Sequence, residues 1–196
     1  MKEKWLSVSQ LLNLLLLAIF LIVLFNPSAK ALLMQGMMKI GLFQPALPVV
    51  HLKNNSEEKV ADIVFQSFEG KVIHLNELQG KVVFINFWAT WCPPCIAEMP
   101  TLSALYQQLK DSKNMVFITV DVDHDFKKSH SFLIGHDLNL PLYEAAGIIP
   151  EAILDGSIPT TLVIDKKGSV VFRHKGIADY SNPKVLSYLT QLTLAK

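Results

Sequence analysis

The sequence predicts a mixed α/β domain behind one apolar, membrane-length helix, and three observations predict it. A short, β-rich apolar run from Val82 to Trp88 passes directly into a helical stripe of Leu102, Leu105, Tyr106 and Leu109. Downstream, the order strand, helix, strand, then hairpin and helix calls for one mixed sheet covered on both faces. Upstream, Leu6 to Phe25 is a stretch of about 20 residues, the length that crosses a bilayer core, interrupted only by Ser7, Ser9, Gln10 and Asn13.

Taken in order, residues 1–5 form a short charged start, expected in the cytoplasm, and residues 6–25 the transmembrane anchor. A soluble core helix would show a polar face, which Leu14 to Phe25 lacks. The alternative is a cleaved signal peptide, since Pro27 followed by Ala29-Lys30-Ala31 fits a small-residue cleavage site. The apolar stretch is long for that purpose, and a semi-apolar stretch suited to lying along a membrane, Ala31 to Phe43, continues beyond it. Lys2 and Lys4 on one side against Lys30 and Lys39 on the other specify orientation only weakly. Residues 26–59 read as a stem; its part from Gln44, with Pro45, Pro48 and the polar run Asn54 to Lys59, reads as a loose connector.

The folded domain is expected over 60–196. Asp62 to Gln66 and Val72 to Leu75 flank Glu69-Gly70-Lys71, an N-terminal β-hairpin. Asn76 to Lys81 turns the chain into the Val82–Trp88 strand. A helix follows over Pro94 to Lys110, then a buried strand, Met115 to Asp121. Phe126 to His136 reads as a helix and Leu140 to Tyr143 as a short strand; Ala145 to Leu154 fits helix or loop equally. Thr160 to Asp165 and Val170 to Lys175 form a hairpin around Lys166-Lys167-Gly168, and Asn182-Pro183 opens a last helix through Leu194.

Chemistry concentrates at the junction of the Val82–Trp88 strand and the helix after it. The only two cysteines, Cys92 and Cys95, sit there with Pro93 and Pro94 between them. Unpaired N–H groups and the dipole at a helix N-terminus favour a thiolate, and Cys-x-x-Cys sulfurs so placed ionise at pKa values of roughly 3.5 to 7.5. Two intervening residues let the second sulfur curl back on the first. Cys92 would attack a disulfide and Cys95 would resolve the mixed disulfide. The prolines stiffen the loop and suit a helix's opening turn. A structural bridge closing so small a loop would remove little chain entropy. Zinc would need further ligands, and haem attachment a histidine where Ile96 stands.

The run Asn86 to Pro100, Asn-Phe-Trp-Ala-Thr-Trp-Cys-Pro-Pro-Cys-Ile-Ala-Glu-Met-Pro, resembles the active-site segment of the TlpA/ResA-like thiol–disulfide oxidoreductases. Gly156 to Asp165 is similar to that family's cis-proline loop and following strand. The resemblance covers about residues 60 to 195. It implies a thioredoxin-like fold, a membrane tether and a domain on the periplasmic, extracytoplasmic side of the cell membrane. It implies a cis bond at Ile158-Pro159, with both residues offering backbone to the substrate chain beside the sulfurs. Trp91 is expected to cover the pair and Trp88 to pack in the core. Glu98 reads either as an acid favoured by the helix dipole or, as in some relatives, as a carboxylate that tunes the cysteines or relays a proton. Asn86 stands where thioredoxins proper carry a buried acid, which leaves proton transfer from Cys95 to water or Glu98.

The function implied is reduction of disulfides in exported proteins, with electrons from a membrane donor; apocytochrome c thiols, in cytochrome c maturation, are one substrate class. Two rivals share the fold. A copper-delivery protein would space its cysteines by three and add a histidine, here His124 or His174. A thiol peroxidase would need a Pro-x-x-x-Thr approach, which is absent. No cofactor or metal is expected: an EF-hand starting at Asp121 would require Gly and Glu where Phe126 and Phe132 stand, so Asp121 to Asp125 reads as a solvated strand-to-helix loop. The histidines show no metal-binding pattern and read as surface residues. A net charge of +1 gives no electrostatic case for nucleic acid.

Overall fold

In the computed structural model, residues 7–47 and 195 back to 62 are described. The expected cytoplasmic start, the polar half of the stem and the boundary at residue 60 lie outside them. Helix α1 (Val8–Phe25) opens on a capping box between Ser7 and Gln10 and buries no residue, as suits a helix long and apolar enough to cross a membrane. Helix α2 (Pro27–Lys39) follows after a single residue, Asn26. It lies within the stretch expected to form the stem. Residues 27–39 are helical, and Ala31 and Met38 pack on the body of the domain. The reason is local and tertiary together: Pro27 at the first helical position and Asn26 as cap start the helix, and α3 supplies an apolar surface for one side of it.

The domain is built on a seven-stranded sheet: β1 (Val64–Ser67), β2 (Val72–His74), β3 (Val82–Trp88), β4 (Met115–Asp121), β5 (Leu142–Ala145), β6 (Thr160–Ile164) and β7 (Val170–Lys175), in the order β2-β1-β5-β4-β3-β6-β7. β3 is parallel to β4 and antiparallel to β6. The first hairpin joins the sheet by pairing β1 antiparallel to β5. Gly70, at φ 84°, takes the left-handed position this hairpin turn needs. A 3-10 turn, Leu75–Leu78, leads into β3.

β3 is apolar at every position but Asn86 because it is buried along its whole length, with both faces of the sheet covered. Val82, Phe84 and Trp88 join the core formed with helices α3 (Pro93–Leu109), α4 (Phe126–Gly135) and α5 (Pro183–Leu194). Val83, Ile85 and Phe87 belong to a second core with Ile63, Phe65, Leu75, Ile118 and Ile153. Of Ala145 to Leu154, which fits helix or loop from sequence, Ala145 ends β5 and the rest is a run of turns and bends that places Ile153 in this second core. β5 lies two residues later than expected, because Pro141 has no N–H to give a ladder and instead accepts from the Thr119 N–H at 3.3 Å.

Candidate active site

Cys92 is the N-cap of α3 and Pro93 and Pro94 fill the first two helical positions, where their missing N–H groups cost nothing. Cys92 and Cys95 are joined in a disulfide, with Cα atoms 5.2 Å apart. The Cys95 N–H also points to Cys92 Sγ at 3.3 Å, so a first-turn amide faces the sulfur that would carry thiolate charge. Cys92 keeps 3% of its surface and Cys95 none, which makes Cys92 the one a substrate can reach.

The β3–β6 register brings the downstream motif to the pair. Phe87 faces Thr160, so Pro159 comes opposite Trp88, four residues before Cys92. Ile158-Pro159 is cis, as expected, and the loop is tied from β7. The Gly176 N–H donates to Pro159 O at 2.8 Å, and Lys175 Nζ reaches Asp155 Oδ2 at 2.5 Å. Arg173 donates to the carbonyls of Ile153 (2.8 Å) and Ala152 (2.6 Å). Ile158 is half-buried between the two cores. Its backbone forms no hydrogen bond among the described residues.

Glu98 is fully buried, not an acid on the helix surface. Its Oε1 accepts from Asn86 Nδ2 at 2.8 Å and its Oε2 from the Ala178 N–H at 3.2 Å. Burial without a cation pushes its pKa up to about 8, against the smaller opposing pull of those two donors. Asn86 Nδ2 donates as well to Thr161 Oγ1 (2.9 Å), which also accepts from the Tyr180 hydroxyl at 2.6 Å. Burial, with the Glu98 charge nearby, raises the Tyr180 phenol well above its usual value. The position that reads as an acid replaced by Asn86 is therefore a link in a polar chain from Glu98 to Tyr180, and the acid itself sits on α3.

Trp88 is a core residue, as expected, with no exposed surface. Trp91 remains 58% exposed, and its Nε1 donates to Asp123 Oδ1 at 2.5 Å. Asp123 Oδ2 accepts from both the Thr90 N–H (3.3 Å) and the Thr90 hydroxyl (3.0 Å). Sequence reasoning missed Asp123, reading Asp121 to Asp125 as a solvated loop. Each aspartate instead has a partner. Asp121 accepts the N–H groups of Asp123 (2.9 Å) and Asp125 (3.2 Å), and Asp125 caps α4 through the Lys128 N–H at 3.0 Å. The β3–β4 register sets Trp88 against Asp121 and hence Thr90 near Asp123, a signal visible only once the strands are aligned. Thr161 and Tyr180 were missed for the same reason. Among the described residues no group of three His, Cys, Asp or Glu side chains is gathered to hold a metal.

Comparison with known proteins agrees with this geometry. Residues 55–191 match the redoxin family. The thiol–disulfide oxidoreductase ResA of Bacillus cereus is 36% identical over 137 residues, covering 69% of this chain and 78% of that one. ResA of Bacillus subtilis is 33% identical over 111 residues, 56% of this chain and 62% of the relative. Among solved structures, the exposed lipoprotein thioredoxin of Streptococcus pneumoniae superposes with a TM-score of 0.53 at 27% identity, covering 67% of this chain and all of that one. The sequence match, the thioredoxin-like sheet and a cysteine pair capping the helix after its central strand agree: the chain belongs to the redoxin family and, within it, to the ResA-like thiol–disulfide oxidoreductases.

Proposed function

We propose that this protein is a membrane-tethered thiol–disulfide oxidoreductase that reduces disulfides of exported proteins on the periplasmic side. The observation that carries the reading is Cys92 capping α3, with a first-turn N–H on its sulfur and Cys95 within bonding distance. The Cys92 thiolate attacks one sulfur of the substrate disulfide, forming a mixed disulfide and expelling the other sulfur as thiolate. Cys95, losing its proton, attacks Cys92 Sγ and releases the second substrate thiolate. Two electrons pass to the substrate, and the Cys92–Cys95 disulfide remains. A membrane-bound dithiol donor returns the pair to the reduced form by the same exchange in reverse. Ile158 and Pro159 supply backbone and Trp91 an exposed ring for the substrate chain.

Glu98, one helical turn beyond Cys95, is the buried group suited to take up the Cys95 proton. With a pKa of about 8 and no cation near it, it exchanges a proton near neutral pH, unlike an ordinary carboxylate. Apocytochrome c, whose thiols must be reduced before haem attachment, is a substrate that suits such a tethered reductant.

The test is the equilibrium reduction potential of the Cys92–Cys95 pair, titrated against glutathione or dithiothreitol. A value near or below about −250 mV supports a reductase, and one near about −120 mV makes the protein an oxidant and overturns the direction.

A further inference from the structure

Helix α2 carries two apolar faces, and only one is covered. Ala31 and Met38, with Met34 beside them, pack on Ile96 and Ala97 of α3 and on Phe132 and Ile177. At about 100° per residue, Leu32, Gly36, Ile40 and Leu33 fall within about 100° of arc on the opposite side. Leu32 is 69% exposed, Leu33 56% and Ile40 77%, and Leu42 and Phe43 prolong the patch. Lys30 and Lys39 flank this arc, one on either side.

The chain itself says what covers this face. Asn26 alone separates α1 from α2: its N–H takes the Ile22 carbonyl at 2.9 Å, while its Oδ1 caps α2 through the N–H groups of Ser28 (2.9 Å) and Ala29 (3.2 Å). A helix that begins where a membrane span ends starts in the headgroup region; Leu33 stands roughly 12 Å along the chain from Phe25, at helical rise. Aliphatic side chains rimmed by lysines are also what an interfacial helix presents, the apolar part entering the acyl boundary and the ammonium groups reaching phosphate. Beyond α2 the strap is fastened to the domain. The Asp179 N–H donates to Phe43 O at 2.9 Å, and Asn182 Nδ2 donates to Gln44 Oε1.

We propose that α2 lies in the bilayer interface, with Leu32, Leu33 and Ile40 in the acyl boundary and Ala31 and Met38 on α3. The oxidoreductase domain then rests on the membrane instead of swinging from a loose tether. Because Ile96 and Ala97 directly follow Cys95, the sulfur pair is carried at a set height beside the lipid, and its partners must present their own sulfurs at the membrane surface. This inference rests on α1 being an uncleaved span.

The experiment uses the full chain reconstituted in vesicles of phosphatidylcholine and phosphatidylglycerol. Leu33→Trp and, as a calibration within α1, Leu21→Trp are each compared with the parent, and the added emission is challenged with lipids brominated high on the acyl chain and with aqueous acrylamide. Expected is quenching of the Leu33→Trp signal by brominated lipid, by about two-fold or more, with little effect of acrylamide. Quenching by acrylamide alone would put the face in water and overturn the inference. Shielding from both, with the chain at twice its mass, would assign the face to a second copy and overturn it equally. If Leu21→Trp escapes brominated lipid too, the tethered reading of α1 falls as well, so the two failures are distinguishable.

Discussion

Two carboxylates bracket the cysteine loop, and they are satisfied in opposite ways. Glu98, behind the pair, has no exposed surface and two neutral donors, Asn86 and Ala178. Asp123, in front of it, has an 11% exposed side chain, accepts from Thr90 and Trp91, and has Lys128 Nζ at 3.6 Å. A buried acid without a cation holds its proton, and a largely covered acid among donors and a lysine clamps the groups around it. The same functional group is thus a buried, proton-holding acid on one side of the sulfurs and a strut for Trp91 on the other. Burial and partners decide which.

The largest effect that would break this contrast lies at Cys95. Cys95→Ser should lower disulfide-reductase turnover by about three orders of magnitude or more, because the mixed disulfide on Cys92 is no longer resolved. Glu98→Gln alone should cost about 10- to 100-fold. Placed on Cys95→Ser it should cost nothing further, since the proton it serves is gone. An additive loss in insulin-reduction assays would detach Glu98 from Cys95.

The next effect is on stability. Glu98 has a folded pKa of about 8 against 4.5 for a free glutamate side chain, so between those values the folded state holds a proton that the unfolded state has lost. Its contribution therefore declines as pH rises, by about 1.4 kcal/mol per unit, and levels off above about pH 8. The His74–Asp62 pair, with His74 raised by Asp62, changes in the same direction but is common to parent and variant. Urea unfolding of the oxidised protein from pH 5 to 8 should show the decline in the parent and its loss in Glu98→Gln. Parallel curves would mean that Glu98 is ionised at neutral pH.

Smaller is the cost of cutting the polar chain behind Glu98. Thr161→Val keeps the shape but leaves the Tyr180 hydroxyl and one Asn86 N–H without the acceptor they now share at 2.6 and 2.9 Å. A loss of about 1–3 kcal/mol is expected by chemical denaturation, and an unchanged midpoint would show that water takes the place of Thr161. Smallest is Asp123→Asn, at about 1 kcal/mol or less, since a neutral acceptor of the same shape remains. Its sharper readout is Trp91, whose emission and acrylamide quenching should change as the clamp loosens. An unaltered Trp91 would mean that packing alone holds the ring.

Much of the fold could be read in advance because its signals are local. β3, β4 and β7 run over the expected residues, as does α5, since apolar runs bounded by Gly, Pro and Asn state their own limits. The cysteine pair at a strand-to-helix junction was equally legible, for two cysteines three apart beside two prolines leave little choice. The cis bond at Ile158-Pro159 was legible only through family resemblance, because a proline in isolation favours trans. Helix α2 was not read as a helix because its two apolar faces leave only narrow polar seams, at Ser28, Gln35 and Lys39 and at Lys30, a pattern that reads as neither a soluble helix nor a span.

By itself, then, the sequence determined where strands and helices begin, which residues carry sulfur, and that an apolar helix precedes the domain; each depends on neighbours a few positions apart. Only the tertiary structure decided what the carboxylates are. Whether Glu98 holds a proton depends on Asn86 of β3 and Ala178 ahead of α5, and whether Asp123 clamps Trp91 depends on the β3–β4 register. Desolvation and hydrogen bonding act through space, between residues that the chain order keeps as many as 80 positions apart.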